Sequence, residues 1–114
     1  MKYVLLIYQP HPFDPSSYSE EEYKMIGAQY AALNVTPNVS PGPPMGLPKD
    51  AATVRVENEV VAATDGPYVG GAGAVGGFLV IEVESREHAV ELAARVPAAR
   101  LGGAVEIRPC QVYW

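Results

Sequence analysis

The apolar residues of this chain repeat at two different spacings, and this pattern limits the choice of fold most strongly. Two segments have helical spacing behind a serine that can cap a helix: residues 19–33, and the segment that begins after Ser85 and that Pro97 ends. The other apolar segments are rich in β-branched and aromatic residues and are predicted strands. They are residues 2–8, 52–57, 60–64, 77–83 and 104–108.

The order of these elements predicts an α+β fold in a single domain over residues 1–114. A mixed sheet with two helices on one face corresponds to a ferredoxin-like plan. Residues 34–50 contain five prolines and two glycines, so they form either a loop or a broken edge strand. Residues 2–8 are apolar on both faces of their strand, and the face away from the helices therefore needs a cover. A second copy of the chain is the simplest cover, which predicts a homodimer.

The composition excludes several classes of partner. Thirteen acidic residues against eight basic ones give a net charge of -5, and no basic residues cluster, so nucleic acid and anionic membranes are not expected as partners. Cys110 is the only cysteine, which excludes an intramolecular disulfide and fits a reducing cytoplasm. The two histidines lie far apart without acidic residues at ligand spacing, so no metal site is expected. The apolar start of the chain is too short to span a membrane.

A glycine-rich segment, residues 63–80, contains the dinucleotide fingerprint G-x-G-x-x-G at residues 71–76. That fingerprint works only where a helix begins at its end and points its N–H groups at a pyrophosphate. Here the motif runs into a predicted strand, so no dinucleotide cofactor is expected. The segment also contains Asp65-Gly66-Pro67, for which an Asx turn held by the aspartate side chain would be a purely structural explanation.

Six segments of the chain occur in the same order in one protein family. They are MKYVLLIY at the start, ATVRV, TDGPY, GGFLVIEV, HAVELAARVPAAR and VEIRP. The chain therefore resembles, over nearly its whole length, the YCII-related proteins of the DGPF type, with Tyr68 where phenylalanine is usual. The resemblance implies a dimeric α+β barrel, in which two ferredoxin-like sheets pack face to face. It also implies a pocket between sheet and helices with Asp65 as the acid–base group, and proton transfers that need no cofactor.

The residues after this motif depart from the family's pattern. Where the family carries acidic and lysine side chains, this chain has Val69-Gly-Gly-Ala-Gly73. We therefore expect an apolar, flexible pocket mouth. Such a pocket entrance suits an apolar or polycyclic substrate, for example a compound from secondary metabolism.

Five residues are candidates for the site. Asp65 and His11 are the predicted catalytic residues, because a carboxylate beside an apolar pocket and an imidazole held between two prolines can both transfer protons. Tyr68, Tyr8 and Tyr30 are the predicted substrate-binding residues, since their hydroxyls can bind a carbonyl or phenol oxygen. The structural alternatives are a turn for Asp65, an exposed loop for His11 and simple packing for the tyrosines.

The sequence leaves two functions open. The first is a small, cofactor-independent enzyme that isomerises, cyclises or eliminates from a carbonyl or phenolic small molecule. In this enzyme Asp14 could orient the imidazole of His11, three residues before it. The second function is a non-catalytic module that binds a small molecule or docks a regulatory partner.

Overall fold

The computed structural model describes residues 1–12 and 14–112 of the chain. In chain order its elements are β1 (Lys2–Tyr8), α1 (Glu20–Asn34), β2 (Val39–Pro41), β3 (Ala52–Glu57), β4 (Val60–Asp65), β5 (Gly77–Glu82), α2 (Arg86–Ala94), α3 (Pro97–Arg100) and β6 (Ala104–Pro109). Short 3-10 turns occur at Pro15–Ser17, Pro48–Asp50 and Gly71–Gly73. Every helix and strand that the periodicity predicts is present, with its ends shifted by at most a few residues.

Four of the strands form one sheet in the order β2-β5-β1-β6, and every neighbouring pair is antiparallel. This is the strand order of a ferredoxin-like fold into which the β3–β4 hairpin is inserted, so the predicted α+β class and plan are confirmed. The expected mixed sheet is wrong. β1 and β2, which α1 connects, do run parallel, but β5 lies between them and pairs antiparallel with both.

One face of the four-stranded sheet packs against the helices and forms the core. Tyr3, Leu5 and Ile7 alternate along β1 and are buried on this side, as the two-residue period of a strand requires. The other core residues are Leu33, Leu79, Ile81, Val83, Ala89, Leu92, Ala93, Val96 and Ala98. The three helices and the sheet thus share a single apolar cluster.

The opposite face of the sheet is apolar too, but the chain does not cover it. Its half-buried residues, which we call the outward sheet face, are Val4, Leu6, Tyr8, Phe78 and Val80. The register places Val4 opposite Val80 and Leu6 opposite Phe78, so these side chains form one continuous patch. The central strand is therefore apolar on both sides, as the sequence predicts.

Local signals explain where the helices begin. Ser19 Oγ accepts from the backbone N–H of Glu22 at 3.1 Å, and Glu22 Oε1 accepts from Ser19 N at 3.0 Å, which confirms the predicted capping box. Ser85 Oγ likewise accepts from His88 N at 3.1 Å and caps α2. Pro97 does not simply end a helix: it opens α3, because a first-turn position needs no N–H and suits the fixed φ of proline.

The β3–β4 hairpin stands apart from the sheet. Its two strands pair with each other alone in the described part of the chain, and all of their residues except Thr53 are exposed. Asn58 and Glu59 form its two-residue turn with φ of 49° and 66°, the geometry of a type I′ turn. The radius of gyration of 16.0 Å exceeds the roughly 13 Å of a compact domain of this length.

Residues 34–50 combine the two predicted alternatives. Asn34 is the last residue of α1, Val39–Pro41 forms a three-residue edge strand on β5, and the rest is irregular apart from the 3-10 turn at Pro48–Asp50. Within residues 1–12 and 14–112, no helix has the length and apolar character needed to cross a membrane.

Candidate functional site

A cavity of about 490 Å³ opens next to the end of β1. Segments that are distant in sequence form its walls: the loop after β1, one side of α1, the irregular residues before β3, the glycine-rich loop and α3. The lining is mostly apolar, with Ile26, Met45 and Leu47 among the side chains that contribute. A cavity of this size and character is typical of a small-molecule site.

Polar groups from two of these walls meet in the cavity. Gln9 Nε2 lies 3.5 Å from the hydroxyl of Tyr30, and His11 lines the same cavity with an exposed side chain. An imidazole can exchange a proton near neutral pH, and a phenol beside an amide can bind an oxygen. No acidic or lysine side chain from the described residues lines this cavity.

Two further tyrosines line the cavity. The rings of Tyr18 and Tyr23 meet edge to face, with centroids 5.5 Å apart and planes at 67°. The hydroxyl of Tyr23 donates to the carbonyl oxygen of Pro15 at 2.5 Å, which fastens α1 to the loop before it. The sequence signal was present, since Tyr23 and Tyr30 lie on one helical face, but only Tyr30 of these two is a predicted site residue.

Asp14 stabilises the loop between His11 and α1. Its Oδ1 accepts from the hydroxyl of Ser16 at 2.6 Å and from the amide of Ser16 at 2.9 Å. These two hydrogen bonds, the hydroxyl's first, lower the pKa of the Asp14 carboxyl from its usual value. The carboxylate therefore caps the 3-10 turn, and no hydrogen bond joins it to His11 among the described residues.

The glycine-rich loop forms the wall beside His11. Gly71 has a φ of 60°, and a Cβ built there would lie 3.6 Å from His11 Nε2. Gly76 N donates to Ile7 O at 2.8 Å, which ties the loop to the end of β1. The loop then enters β5, not a helix, as predicted, so the G-x-G-x-x-G sequence lacks the helix N-terminus that a pyrophosphate requires.

Asp65 ends β4 and is exposed in the single chain, outside the cavity lining. The Asx-turn explanation for this residue is wrong, because the residue two positions on is Pro67, which has no N–H. The turn is instead held by Gly66 N, which donates to Ala51 O at 2.7 Å, and by Thr53 Oγ1, which donates to Gly66 O at 2.8 Å. A catalytic role for Asp65 stays a prediction.

The other two predicted tyrosines lie elsewhere. Tyr68 is 72% exposed, with the guanidinium of Arg55 5.8 Å from its ring centroid. Tyr8 is half-buried on the outward sheet face. His11 and Tyr30 thus line one cavity, whereas Asp65, Tyr68 and Tyr8 lie outside its lining.

The described residues contain no group of three or more histidine, cysteine, aspartate or glutamate side chains that could hold a metal ion. The fold and the cavity define a ferredoxin-like α+β domain with room for one small molecule. A protein-family model, the YCII-related domain, matches residues 49–111, more than half of the chain. The chain therefore belongs to the YCII-related family.

The matched range divides the candidate residues. Asp65 and Tyr68 lie inside it, whereas Tyr8, His11 and Tyr30 precede it. A search of the curated proteins found no match to this chain. The family match thus covers the hairpin, the glycine-rich loop and α2, but not α1 or the loop that carries His11.

Proposed function

We propose that this YCII-related protein is a small, cofactor-independent enzyme that performs acid–base chemistry on an apolar carbonyl or phenolic compound. One observation supports this most directly: an imidazole, an amide and a phenol line one mostly apolar cavity of about 490 Å³. A few polar groups among apolar walls fix the orientation of a bound ligand, and the imidazole supplies the proton transfer.

His11 is the proposed proton-transfer group. It removes a proton from a phenol or from a carbon next to a carbonyl, and the negative charge then develops on the substrate oxygen. The hydroxyl of Tyr30, which accepts from Gln9 Nε2 at 3.5 Å, then donates to that oxygen. Isomerisation, elimination and cyclisation can all begin with this step.

The walls of the cavity favour a planar, uncharged substrate. Tyr18 and Tyr23 present ring edges and faces against which an aromatic ligand can stack. Since the described residues place no lysine or carboxylate in the lining, an ionic substrate would be desolvated without compensation. A polycyclic compound of secondary metabolism fits these walls.

Asp65 is the second proposed acid–base group. In the single chain it is exposed and lies outside the cavity. A carboxylate in water is a weak base, so its contribution to catalysis requires another chain that covers it.

A nitrobenzisoxazole tests the proton transfer without knowledge of the natural substrate. A base removes the ring C–H proton, the nitrogen–oxygen bond breaks, and the opened ring is a coloured cyano-nitrophenolate. We expect the wild-type protein to accelerate this reaction, and His11→Ala to lower the acceleration about a hundredfold. Absorbance of the phenolate measures the rate.

The second histidine provides the matched control. His88 is exposed in the first turn of α2 and does not line the cavity, so His88→Ala should keep the wild-type rate. Tyr30→Phe should weaken the binding of naphthol, measured by its fluorescence, about three- to tenfold, because one hydrogen bond to the oxygen is lost. Equal rates for the wild type and His11→Ala would contradict the enzymatic proposal.

A non-catalytic binding module is the second candidate. The observation in its favour is that the family match contains neither His11 nor Tyr30. This function predicts tight naphthol binding together with no acceleration of the elimination. A reducing compartment such as the cytoplasm suits either function, because the exposed thiol of Cys110 stays free there.

A further inference from the structure

The glycine-rich loop contributes three small residues to the cavity wall, and they are small for different reasons. They are Gly71, Ala74 and Gly76. Close packing explains Gly76, because a Cβ built there would lie 3.0 Å from Gln9 Cγ and 3.5 Å from the carbonyl oxygen of Ile7. Gly71 and Ala74 are small where a larger side chain would take space from the cavity.

Gly71 leaves a space beside the imidazole of His11. A Cβ built at position 71 would lie 3.6 Å from His11 Nε2 and 3.8 Å from its Cδ2. Reacting atoms in a productive complex are about 3–3.5 Å apart. A ligand atom in the space beside Gly71 is therefore close to the distance at which it can give a proton to Nε2.

Ala74 is small without a backbone reason. Its φ of -76° and ψ of 126° are extended values that any residue type adopts. It is half-buried and lines the cavity, so a longer side chain there would occupy space that a ligand uses. Ala72, two residues earlier, is exposed and lies outside the lining. The loop thus contains two alanines, of which only one limits the cavity.

The volume of the cavity exceeds what a single aromatic ring fills. About 490 Å³ lies within the range of roughly 300–1,000 Å³ that is typical of pockets for drug-sized ligands. A lone phenol ring would leave part of this space empty, and a wall that faces an empty space loses its dispersion contacts. A second ring fused to the first restores these contacts.

We propose that Ala74 determines the size of the substrate by leaving room for a second fused ring, and that the space beside Gly71 holds the substrate atom that gives its proton to His11 Nε2. The substrate is then a fused-ring aromatic or carbonyl compound, not a single-ring phenol. In the transfer the bond between hydrogen and the substrate atom breaks, and its electron pair stays on the substrate as a phenolate or enolate. Nε2 forms the new bond to hydrogen.

The two parts of this proposal depend differently on catalysis. The role of Nε2 rests on the proposed enzymatic function, because only an enzyme transfers a proton here. The preference for two fused rings concerns binding alone, so it is measured without any reaction.

The two alanines of the loop test the size limit with a matched control. We expect the wild type to bind naphthol about twentyfold more tightly than phenol, because the second ring removes additional carbon atoms from water. Ala74→Leu should reduce this preference to less than about threefold, since leucine takes the space of the second ring. Ala72→Leu should keep the wild-type preference. Naphthol fluorescence measures the first affinity, and displacement of naphthol by phenol measures the second.

Three outcomes would overturn the size limit. They are equal affinities of the wild type for naphthol and phenol, a preference that Ala74→Leu retains, and an equal loss of preference in Ala72→Leu. Circular dichroism must show an unchanged helix content for each variant that is scored. Should Ala74→Leu fail to fold, Ala74→Val makes a smaller change and should give an intermediate preference.

Gly71→Ala tests where the reacting atom lies. Its methyl group fills the space beside Nε2, so the nitrobenzisoxazole elimination should slow about tenfold. Gly70→Ala is the control, because a Cβ there would lie 3.9 Å from Pro67 Cγ in ordinary contact, and Gly70 is outside the lining. It should keep the wild-type rate. Since the φ of 60° at Gly71 disfavours alanine, Gly71→Asn, which this backbone accepts more readily, repeats the test.

The two assays separate failure of this proposal from failure of the enzymatic function. Wild-type rates in both Gly71 variants would overturn the placement of the reacting atom, even where His11→Ala is slow. A wild type that prefers naphthol but does not accelerate the elimination would contradict the enzyme and the role of Nε2, and would support the size limit set by Ala74.

Discussion

At position 103 the chain has no room for a side chain. A Cβ built on Gly103 would overlap the carbonyl oxygen of Tyr8 and lie 2.9 Å from the carbonyl oxygen of Ala98. The close approach lets the turn before β6 pack on the end of β1, directly beside the loop that carries His11. The neighbouring Gly102 is needed for a different reason, its φ of 99°.

Replacing two glycines by alanine should therefore have opposite effects. Gly103→Ala forces backbone apart and should lower the free energy of unfolding by about 3 kcal/mol. Gly27 lies within α1 with nothing within 4 Å of a built Cβ, so Gly27→Ala should raise that free energy by about 0.5–1 kcal/mol. Urea unfolding followed by circular dichroism measures both, and a shift of the same sign in the two variants would contradict this explanation.

Single residues also show the limit of what a sequence reveals. His11 could be singled out because two prolines hold it, but its neighbours in the cavity come from α1, from the glycine-rich loop and from α3. The sequence spacing of such neighbours carries no information about their distance. The turn at Asp65 was misjudged for a local reason, since Pro67 occupies the position whose N–H an Asx turn requires.

At the scale of elements, α1 depends strongly on its ends. It has fifteen residues, yet only Leu33 is buried, so packing contributes little to holding the helix in place. The capping box at Ser19 therefore carries more of its stability than a cap usually does. The same helix supplies Tyr23 and Tyr30 to the cavity, and fraying of its first turn would move the ring of Tyr23.

Ser19→Ala should lower the free energy of unfolding by about 1 kcal/mol, because the amide of Glu22 loses its acceptor. Glu21, also in the first turn, makes no contact with the cap, and Glu21→Ala should change that free energy by less than about 0.5 kcal/mol. Chemical denaturation of the two variants under the same conditions gives the comparison. Equal losses would show that the charge of the first turn, not the cap, stabilises the helix.

The elements themselves were predictable because each has a strong period and a clear stop signal. The antiparallel arrangement of the sheet was not predictable, because it depends on which strand lies between β1 and β2. Whether Pro97 ends one helix or begins the next was ambiguous for a physical reason. Proline is disfavoured inside a helix and favoured in its first turn, and only the tertiary structure decides between these positions.

At the scale of the whole molecule, the uncovered outward sheet face bears on how stability should respond to protein concentration. In the homodimer that the sequence predicts, unfolding also separates the two chains, and mass action then raises the melting temperature as the protein is concentrated. The sequence predicted the uncovered sheet face from the apolar pattern of β1. It did not indicate that the hairpin stands apart from the four-stranded sheet. A hairpin in water and one packed against the sheet can have the same alternation of apolar and polar residues.

Tenfold dilution should lower the melting temperature of the wild type by about 3 °C, from the typical unfolding entropy of a pair of chains of this length. Differential scanning fluorimetry across a dilution series measures this. A wild-type melting temperature that stays constant would contradict assembly.

The two edge strands, which form the rims of the four-stranded sheet, both end at a proline. The edge strand β2 is only three residues long and closes on Pro41, and the opposite edge strand, β6, closes on Pro109 after the charged pair of Glu106 and Arg108. Proline offers no N–H to an incoming strand, and charges at a border discourage one. Both rims therefore disfavour the addition of a further strand, which should limit sideways polymerisation of this sheet.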